Sequence, residues 1–371
     1  MQEADVARLT AQVLWLAFGL GIVFGAIAQR THFCTMGAVA DVLNLGDWTR
    51  ARQWALAAGV AVLGFNGMAA LGWLDAADTL YGGPRLLWLS ALVGGLMFGF
   101  GMVLASGCGS RTLVRIGGGN LKSLVVFVVM AFAALATLRG LTAVWRVASV
   151  DQAWLQLPAS QNLPHLAASA TGAAREATAL VVGGLVGLAL VAWALAAPAG
   201  RSGESLLAGL GLGAVVAALW WTSGRFGFIA EHPQTLEPTY IATASRRMEA
   251  LSFVAPLAHG IEWLAYFSDT SRHLTLGVAS VAGVVAGSAV QALAGGSFHW
   301  EGFRGVEDTA NHLVGAVLMG VGGVTALGCT VGQGLSGVAT LSLGSFLAVA
   351  AIIVGAALAV RYQAWRVERS A

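Results

Sequence analysis

Apolar stretches about as long as a membrane is thick recur along this chain and constrain its fold more than any other feature. A transmembrane helix needs about 20 predominantly apolar residues. Charged residues make up 10% of the chain, against about 25% in a soluble domain. We therefore expect an all-α integral membrane protein with about nine transmembrane helices, near residues 11–29, 52–74, 86–106, 121–139, 177–197, 204–222, 274–294, 311–327 and 338–360.

One further apolar segment, 249–268, is harder to place because it contains His259 and Glu262. Ionisable side chains inside a membrane are costly and are often functional. We expect a tilted, broken or interfacial helix here, with Glu249 and Glu262 either serving proton coupling or pairing with Arg246 or Arg247.

Several classes of partner and cofactor are not indicated. The net charge of +2 and the lack of a basic stripe with interleaved aromatic residues argue against nucleic acid. The glycine-rich run 117–120 lacks the strand–helix context of a nucleotide-binding loop, and we predict no cofactor and no metal. Three cysteines, an odd number, cannot form a complete disulfide framework.

An internal repeat becomes visible when the cysteines are aligned. Residues 94–108 read GGLMFGFGMVLASGC and residues 315–329 read GAVLMGVGGVTALGC. An offset of 221 residues places Gly107-Cys108 on Gly328-Cys329 together with three more glycines. A weaker similarity aligns Arg30 and Phe33 with Arg225 and Phe228, and Ile229 is then the counterpart of Cys34.

The repeat predicts the organisation of the chain. We expect a first membrane repeat at 1–150, a polar loop and linking span at 151–200, and a second membrane repeat at 201–371, all within one integral membrane domain. An odd number of spans separates equivalent helices, so the two repeats are expected to have inverted topology, as in many transporters.

The Gly-Cys motifs lie where apolar spans give way to glycine-rich segments. Non-helical backbone at membrane depth is tolerated where it is buried in protein or lines a cavity. Short re-entrant helices or loops are therefore expected after Cys108 and Cys329. Their N-termini would present free N–H groups and the positive end of the helix dipole, which favours an anion.

Three motifs resemble the YeeE/YedE family of sulfur-compound transporters: RTHFCTMGAVAD (30–41), FGFGMVLASGCGSRTLVRIGGGN (98–120) and MGVGGVTALGCTVGQGLSG (319–337). The resemblance implies a permease that imports thiosulfate, or a related sulfur oxyanion, across the inner membrane. It also implies that the protonated thiols of Cys34, Cys108 and Cys329 contact the ion in sequence. A cytoplasmic sulfur-carrier or sulfurtransferase protein is a possible partner, beside the lipid bilayer itself.

Residues around the cysteines are candidates for supporting roles. Arg30 and Arg111 could attract the anion or could be ordinary interfacial arginines. Gln333 could donate to sulfonate oxygens or satisfy loop carbonyls. The supporting set of the predicted site is Arg30, Gly107, Gly109, Arg111, Gly328, Thr330 and Gln333. Arg361, Arg366 and Arg369 after the last span favour a cytoplasmic C-terminus.

Two other functions remain open at this point. A membrane sulfurtransferase would need a base beside a nucleophilic cysteine, and His32 is the nearby candidate. A soft-metal or selenium-compound transporter could use the cysteines with Met36, Met102 and Met319. The arginines near the cysteines disfavour a cation. Our prediction is a transporter without catalytic residues.

Overall fold

The chain folds into a bundle of long helices with short helices between them. We describe it from a computed structural model, which covers residues 3–269, 273–303 and 305–370. The helices are α1 Glu3–Arg30, α2 Thr35–Leu45, α3 Thr49–Ala70, α4 Trp88–Leu104, α5 Gly109–Gly117, α6 Leu121–Arg139, α7 Leu141–Ala148, α8 Leu163–Thr171, α9 Arg175–Leu195, α10 Gly203–Trp221, α11 Ala255–Ala265, α12 Leu276–Ala294, α13 Val306–Thr325 and α14 Leu343–Ser370.

Shorter elements complete the fold. Two antiparallel pairs of two-residue strands join β1 Arg85–Leu86 to β2 Leu155–Gln156 and β3 Phe228–Ile229 to β4 Thr239–Tyr240. Single turns of 3₁₀-helix lie at Ala76–Asp78, Val150–Gln152 and Pro198–Arg201. Wider π-turns lie at Thr222–Phe226 and Gly332–Gly337, and the second belongs to a short helical segment, 330–339.

The structure confirms an all-α integral membrane protein. In the described part of the chain, eight helical segments are long and apolar enough to cross a membrane. They overlap eight of the nine predicted spans. The ninth, 311–327, falls on α13, which does not meet that measure and carries Glu307 and Asp308 in its first turn. The count of nine therefore stays a prediction.

Segment 249–268 does not form a complete span. Its residues before 255 are not helical, and α11 has 11 residues. At 1.5 Å per residue such a helix is about 16 Å long, roughly half the hydrocarbon thickness. Only the part of the segment from residue 255 to residue 265 is therefore helical. Glu262 pairs with Arg139, whose Nη1 lies 2.9 Å from Glu262 Oε1.

Glycines form the contacts between the long helices, as the small-residue spacing predicts. Gly21 and Gly25 of α1 meet the backbone of α12, where Gly283 and Gly287 approach α1 in return. Three similar glycine pairs pack on facing helices: Gly95/Gly99 on α14, and Gly183/Gly187 and Gly209/Gly213 on α3. Where α1 crosses α12 and α4 crosses α14, the backbones are too close to admit a larger side chain, whereas Gly183, Gly187 and Gly209 face side chains of α3.

The helix contacts are reciprocal between the two parts of the chain. Helix α1 packs on α12, and α10 packs on α3; α4 packs on α14, and α13 packs on α6. Helix α4 also packs antiparallel against α13, with Gly94 beside Gly322 and Gly101 beside Gly315. Each contact made by one part therefore has a counterpart made by the other.

The polar stretch 151–176 is more ordered than the simple extramembrane loop expected there. It contains strand β2 and helix α8. The Asn162 side-chain amide donates to the Thr340 carbonyl at 2.8 Å, and the Leu343 N–H donates to the Gln161 carbonyl at 3.1 Å. These bonds attach the stretch to the chain between segment 330–339 and α14.

The α1–α12 crossing gives a stability prediction. A methyl group on Gly25 would lie 2.9 Å from the Val284 Cα, so Gly25→Ala forces two backbones apart. We expect a loss of about 1–3 kcal/mol, measured as a lower melting temperature in detergent. Gly184→Ala is the control, because a methyl there meets nothing within 4 Å. Equal melting temperatures for the two variants would contradict this packing.

Candidate functional site

Three long helices end with the same backbone geometry. The second residue after α1, α4 and α13 adopts a left-handed conformation, with φ of 50° at His32, 55° at Ser106 and 57° at Leu327. The backbone N–H of the residue that follows donates a hydrogen bond to the carbonyl five residues earlier: Phe33 to Ala28 at 3.3 Å, Gly107 to Met102 at 2.8 Å and Gly328 to Gly323 at 2.8 Å. This is the Schellman pattern of helix termination.

A cysteine follows each of these helix ends and begins a short helix. Cys34 is the N-cap of α2, Cys108 is the N-cap of α5, and Cys329 precedes segment 330–339. The three thiols are buried and free of disulfides. Three left-handed non-glycine residues cost of order 1–3 kcal/mol each, so the surrounding structure holds these breaks in place.

Two of the cysteines accept a backbone hydrogen bond in the same way. The Gly37 N–H donates to Cys34 Sγ at 3.4 Å, and the Gly332 N–H donates to Cys329 Sγ at 3.4 Å. Each sulfur thus caps its helix through a lone pair, and its S–H proton is left to donate elsewhere. Both motifs read Cys-Thr-x-Gly, at 34–37 and 329–332.

Cys108 lies near both of the other cysteines. Its sulfur is 3.2 Å from Ser110 Oγ and 3.9 Å from Oγ1 of Thr35, the residue next to Cys34. It is within electrostatic range of both Cys34 and Cys329. The three thiols are therefore neighbours, and we call them the thiol cluster.

A fourth short helix reaches the same cluster without a cysteine. Helix α11 has Val254 as its N-cap, and the preceding residue, Phe253, directs its N–H towards Cys329 Sγ. A methyl on Gly109 would lie 3.5 Å from the Phe253 Cβ. The N-termini of α2, α5, α11 and segment 330–339 therefore converge, and their dipoles make this point favourable for negative charge.

The two predicted arginines differ in position. Arg30 is exposed at the end of α1. Arg111 lies on α5, and its Nη1 is buried without a hydrogen-bond partner among the described residues. It is within electrostatic range of Cys34 and Cys108. The structure brings Arg111 to the cluster and leaves Arg30 at the surface.

The remaining predicted residues pack around the breaks. A methyl group added at Gly107 would lie 3.1 Å from Arg111 Cγ, and one added at Gly328 would lie 3.2 Å from Gln333 Cγ. The Gln333 amide donates to the Ala326 carbonyl, so it does satisfy the loop. Its Oε1 and the Thr330 Oγ1 are buried without a partner in the described structure.

The other candidate residues are either exposed or bonded to groups other than the thiols. His32 is exposed and occupies the left-handed position after α1. His259 Nδ1 lies 3.7 Å from Glu262 Oε2, and Glu249 accepts the Ser245 N–H at 2.7 Å. Over residues 3–269, 273–303 and 305–370, no group of three His, Cys, Asp or Glu side chains is placed to hold a metal ion.

A cavity of about 370 Å³ opens between the ends of α3 and α10 and the start of α9. It contains an ionic cluster in which His165 Nε2 lies 2.9 Å from Asp75 Oδ1 and Arg175 Nη1 lies 3.3 Å from Asp75 Oδ2. The adjacent His165 imidazole lowers the pKa of Asp75 to about 2. None of the predicted site residues lines this cavity.

Comparison with known proteins extends over most of the chain. A family model described as sulphur transport matches residues 30–358. The thiosulfate transporter TsuA of Spirochaeta thermophila is 26% identical over 359 residues, which cover 92% of this chain and 97% of that protein. TsuA of Escherichia coli is 27% identical over 345 residues, or 90% of each chain. The probable transporter YedE of Escherichia coli is 31% identical over 104 residues, 28% of this chain and 24% of that protein.

The burial of the thiols predicts their reactivity. Cys108 and Cys329 are 0% exposed and Cys34 is 7% exposed. In mild detergent, we expect a water-soluble disulfide reagent to leave Cys108 and Cys329 unmodified while any fast reaction is confined to Cys34. All three thiols should react after denaturation. The variant Thr171→Cys supplies an exposed control thiol; reaction of Cys329 at that control's rate would contradict the buried placement.

Proposed function

This chain belongs to the sulphur transport family, and we propose that it is a permease that imports thiosulfate, or a closely related sulfur oxyanion, across the inner membrane. The observation that carries the proposal is the convergence of four helix N-termini on a cluster of three buried thiols. Two relatives that cover at least 90% of this chain are named thiosulfate transporters.

The first requirement is to replace the water around a dianion. A bare charge in lipid costs far more than a binding site can normally recover. Backbone N–H groups at helix N-termini can substitute for water. Arg111 adds a positive charge whose Nη1 has no partner among the described residues. Together these groups favour an anion and disfavour the soft-metal cation considered as an alternative.

The second requirement is to hold the ion weakly enough to release it. Thiols are weak donors, and the capping geometry leaves the S–H protons of Cys34 and Cys329 available. Cys108, near both, can accept the ion from one and pass it to the other. We propose that the soft terminal sulfur of thiosulfate contacts the three thiols in turn.

Transport is favoured over sulfur transfer by the surroundings of Cys34. The positive charge of Arg111 lies within electrostatic range of Cys34, but a persulfide-forming cysteine also needs a base that takes its proton, and His32, the candidate base, is exposed. The relatives that cover most of the chain are named transporters. We therefore assign no catalytic residue.

The reciprocal helix contacts support a proposal of two inverted repeats, at 1–150 and 201–371, joined by 151–200. In this scheme α4, α5 and α6 correspond to α13, segment 330–339 and α14. The antiparallel pairing of α4 with α13 fits opposite orientations. We further propose that the C-terminus, with Arg361, Arg366 and Arg369, is cytoplasmic, where a sulfur-carrier or sulfurtransferase protein could take up the product.

Uptake of doubly labelled thiosulfate tests this function. In a host that lacks its own sulfate and thiosulfate uptake, we expect the wild type to accumulate both sulfur labels equally and to restore growth on thiosulfate. Cys108→Ala and Cys329→Ala should each lower uptake at least 100-fold, because the transfer path loses a thiol. Arg111→Gln should lower it about 10- to 100-fold, because one hydrogen bond to a charged group is worth about 1.5–3 kcal/mol.

The controls separate loss of transport from loss of protein. Thr171→Ala, at an exposed position, should transport like the wild type, and membrane abundance is matched by immunoblot. Full uptake by both cysteine variants would refute the thiol path. Release of labelled sulfite with retention of one sulfur would indicate a sulfurtransferase instead.

A further inference from the structure

Polar side chains from separate parts of the fold lie around segment 330–339, which begins after Cys329, and the thiol path does not use them. Tyr81 comes from the loop between α3 and α4, Ser252 precedes α11, and Trp220 lies near the end of α10. A methyl group on Gly332 would lie 2.8 Å from Ser252 Oγ and 3.5 Å from the Tyr81 hydroxyl. Gly332 itself donates to Cys329 Sγ, so both hydroxyls lie close to the thiol.

Two polar groups here are buried and unsatisfied. Trp220 Nε1 and Thr330 Oγ1 have no hydrogen-bond partner among the described residues, and their side chains are 0% and 2% exposed. An indole N–H can act only as a donor. Leaving such a group buried without a partner costs about 1–3 kcal/mol. Buried donors without a partner beside the proposed transport path therefore indicate that a bound ligand accepts their hydrogen bonds.

The aromatic rings of Trp220 and Tyr81 are held in place by their neighbours. Trp220 packs edge-on against Phe65 at 5.2 Å and against Tyr81 at 6.3 Å between ring centroids. Helix α10 also contacts the π-turn of segment 330–339. Tyr81 is 4% exposed. Rigid rings can present an O–H and an N–H in a fixed direction with little ordering cost on binding.

The surroundings of Cys329 differ from those of Cys34 and Cys108. The latter pair lies near the guanidinium of Arg111, whereas Tyr81, Trp220, Thr330 and Ser252 are uncharged at neutral pH. Hydroxyl and indole donors are harder and stronger than thiols. They match oxygen acceptors better than a soft terminal sulfur.

We propose that Tyr81, Trp220 and Thr330 form an oxyanion subsite that binds the sulfonate oxygens of the substrate while Cys329 contacts its terminal sulfur. The inference rests on the proposed function and adds the orientation of the ion. In this arrangement, the number of oxygen acceptors on an ion determines how tightly the protein binds it. Ions without such oxygens, such as hydrosulfide, lose these bonds and leave the buried donors unpaired.

Binding to purified protein tests the subsite. Tyr81→Phe and Thr330→Val each remove a hydroxyl and keep nearly the same volume, and Trp220→Phe removes the indole N–H. A hydrogen bond to a charged group is worth about 1.5–3 kcal/mol, so each variant should raise the Kd for thiosulfate about 10- to 100-fold by titration calorimetry. Tyr362→Phe, on the half-exposed C-terminal part of α14, should bind like the wild type.

A second ligand distinguishes oxygen recognition from a general loss of structure. The methanethiosulfonate anion keeps the terminal sulfur but replaces one oxygen with a methyl group. The wild type should prefer thiosulfate over this anion, and Tyr81→Phe and Thr330→Val should reduce that preference at least threefold. As a folding control, each variant must elute from a size-exclusion column as a monodisperse peak. If Trp220→Phe does not fold, Tyr81→Phe and Thr330→Val still test the subsite.

Several results would overturn the subsite. Wild-type affinity in Tyr81→Phe and Thr330→Val, with binding lost in Cys108→Ala, would reject the subsite and leave the proposed function standing. An equal loss of affinity for both anions would indicate a structural role for these residues. Failure of the wild type to bind thiosulfate would reject the proposed function and the subsite together.

Discussion

The proposed mechanism depends on one constraint, the energetic cost of placing a divalent anion among apolar helices. In that mechanism the cost is met where three long helices end and short ones start. Each break has a left-handed residue, an N–H that donates to a carbonyl five residues earlier, and a cysteine before the next short helix. The same geometry that stops a helix therefore exposes backbone donors and positions a thiol, and the proposal assigns both to contact with the ligand.

Close glycine packing is what keeps these breaks together. The crossings of α1 with α12 and of α4 with α13 bring backbones into contact, and the short helices start just after the ends of α1, α4 and α13. Because non-glycine residues are held at left-handed angles, the breaks depend on this packing rather than on local preference. Glycines far from any thiol thus contribute to the shape of the site.

Much of the fold and part of the candidate site could be predicted from the sequence. The apolar runs located the long helices, and the repeated Gly-Cys pairs located two breaks. Helix α11 was missed as a part of the site, because it carries no cysteine at its start and residues 222–254 separate it from α10. The left-handed angle at Leu327 has no sequence signal, since such positions usually favour glycine. The Cys-Thr-x-Gly repeat at 34–37 and 329–332 could have revealed the shared caps.

A structure with the ion bound tests the central claim most directly. Selenosulfate carries selenium in place of the terminal sulfur, and anomalous scattering locates that atom in a crystal. The account predicts a selenium peak in contact with the sulfurs of Cys108 and Cys329 and within the ring of four short-helix N-termini. A peak elsewhere, such as in the cavity beside Asp75, with the thiol cluster empty, would contradict it.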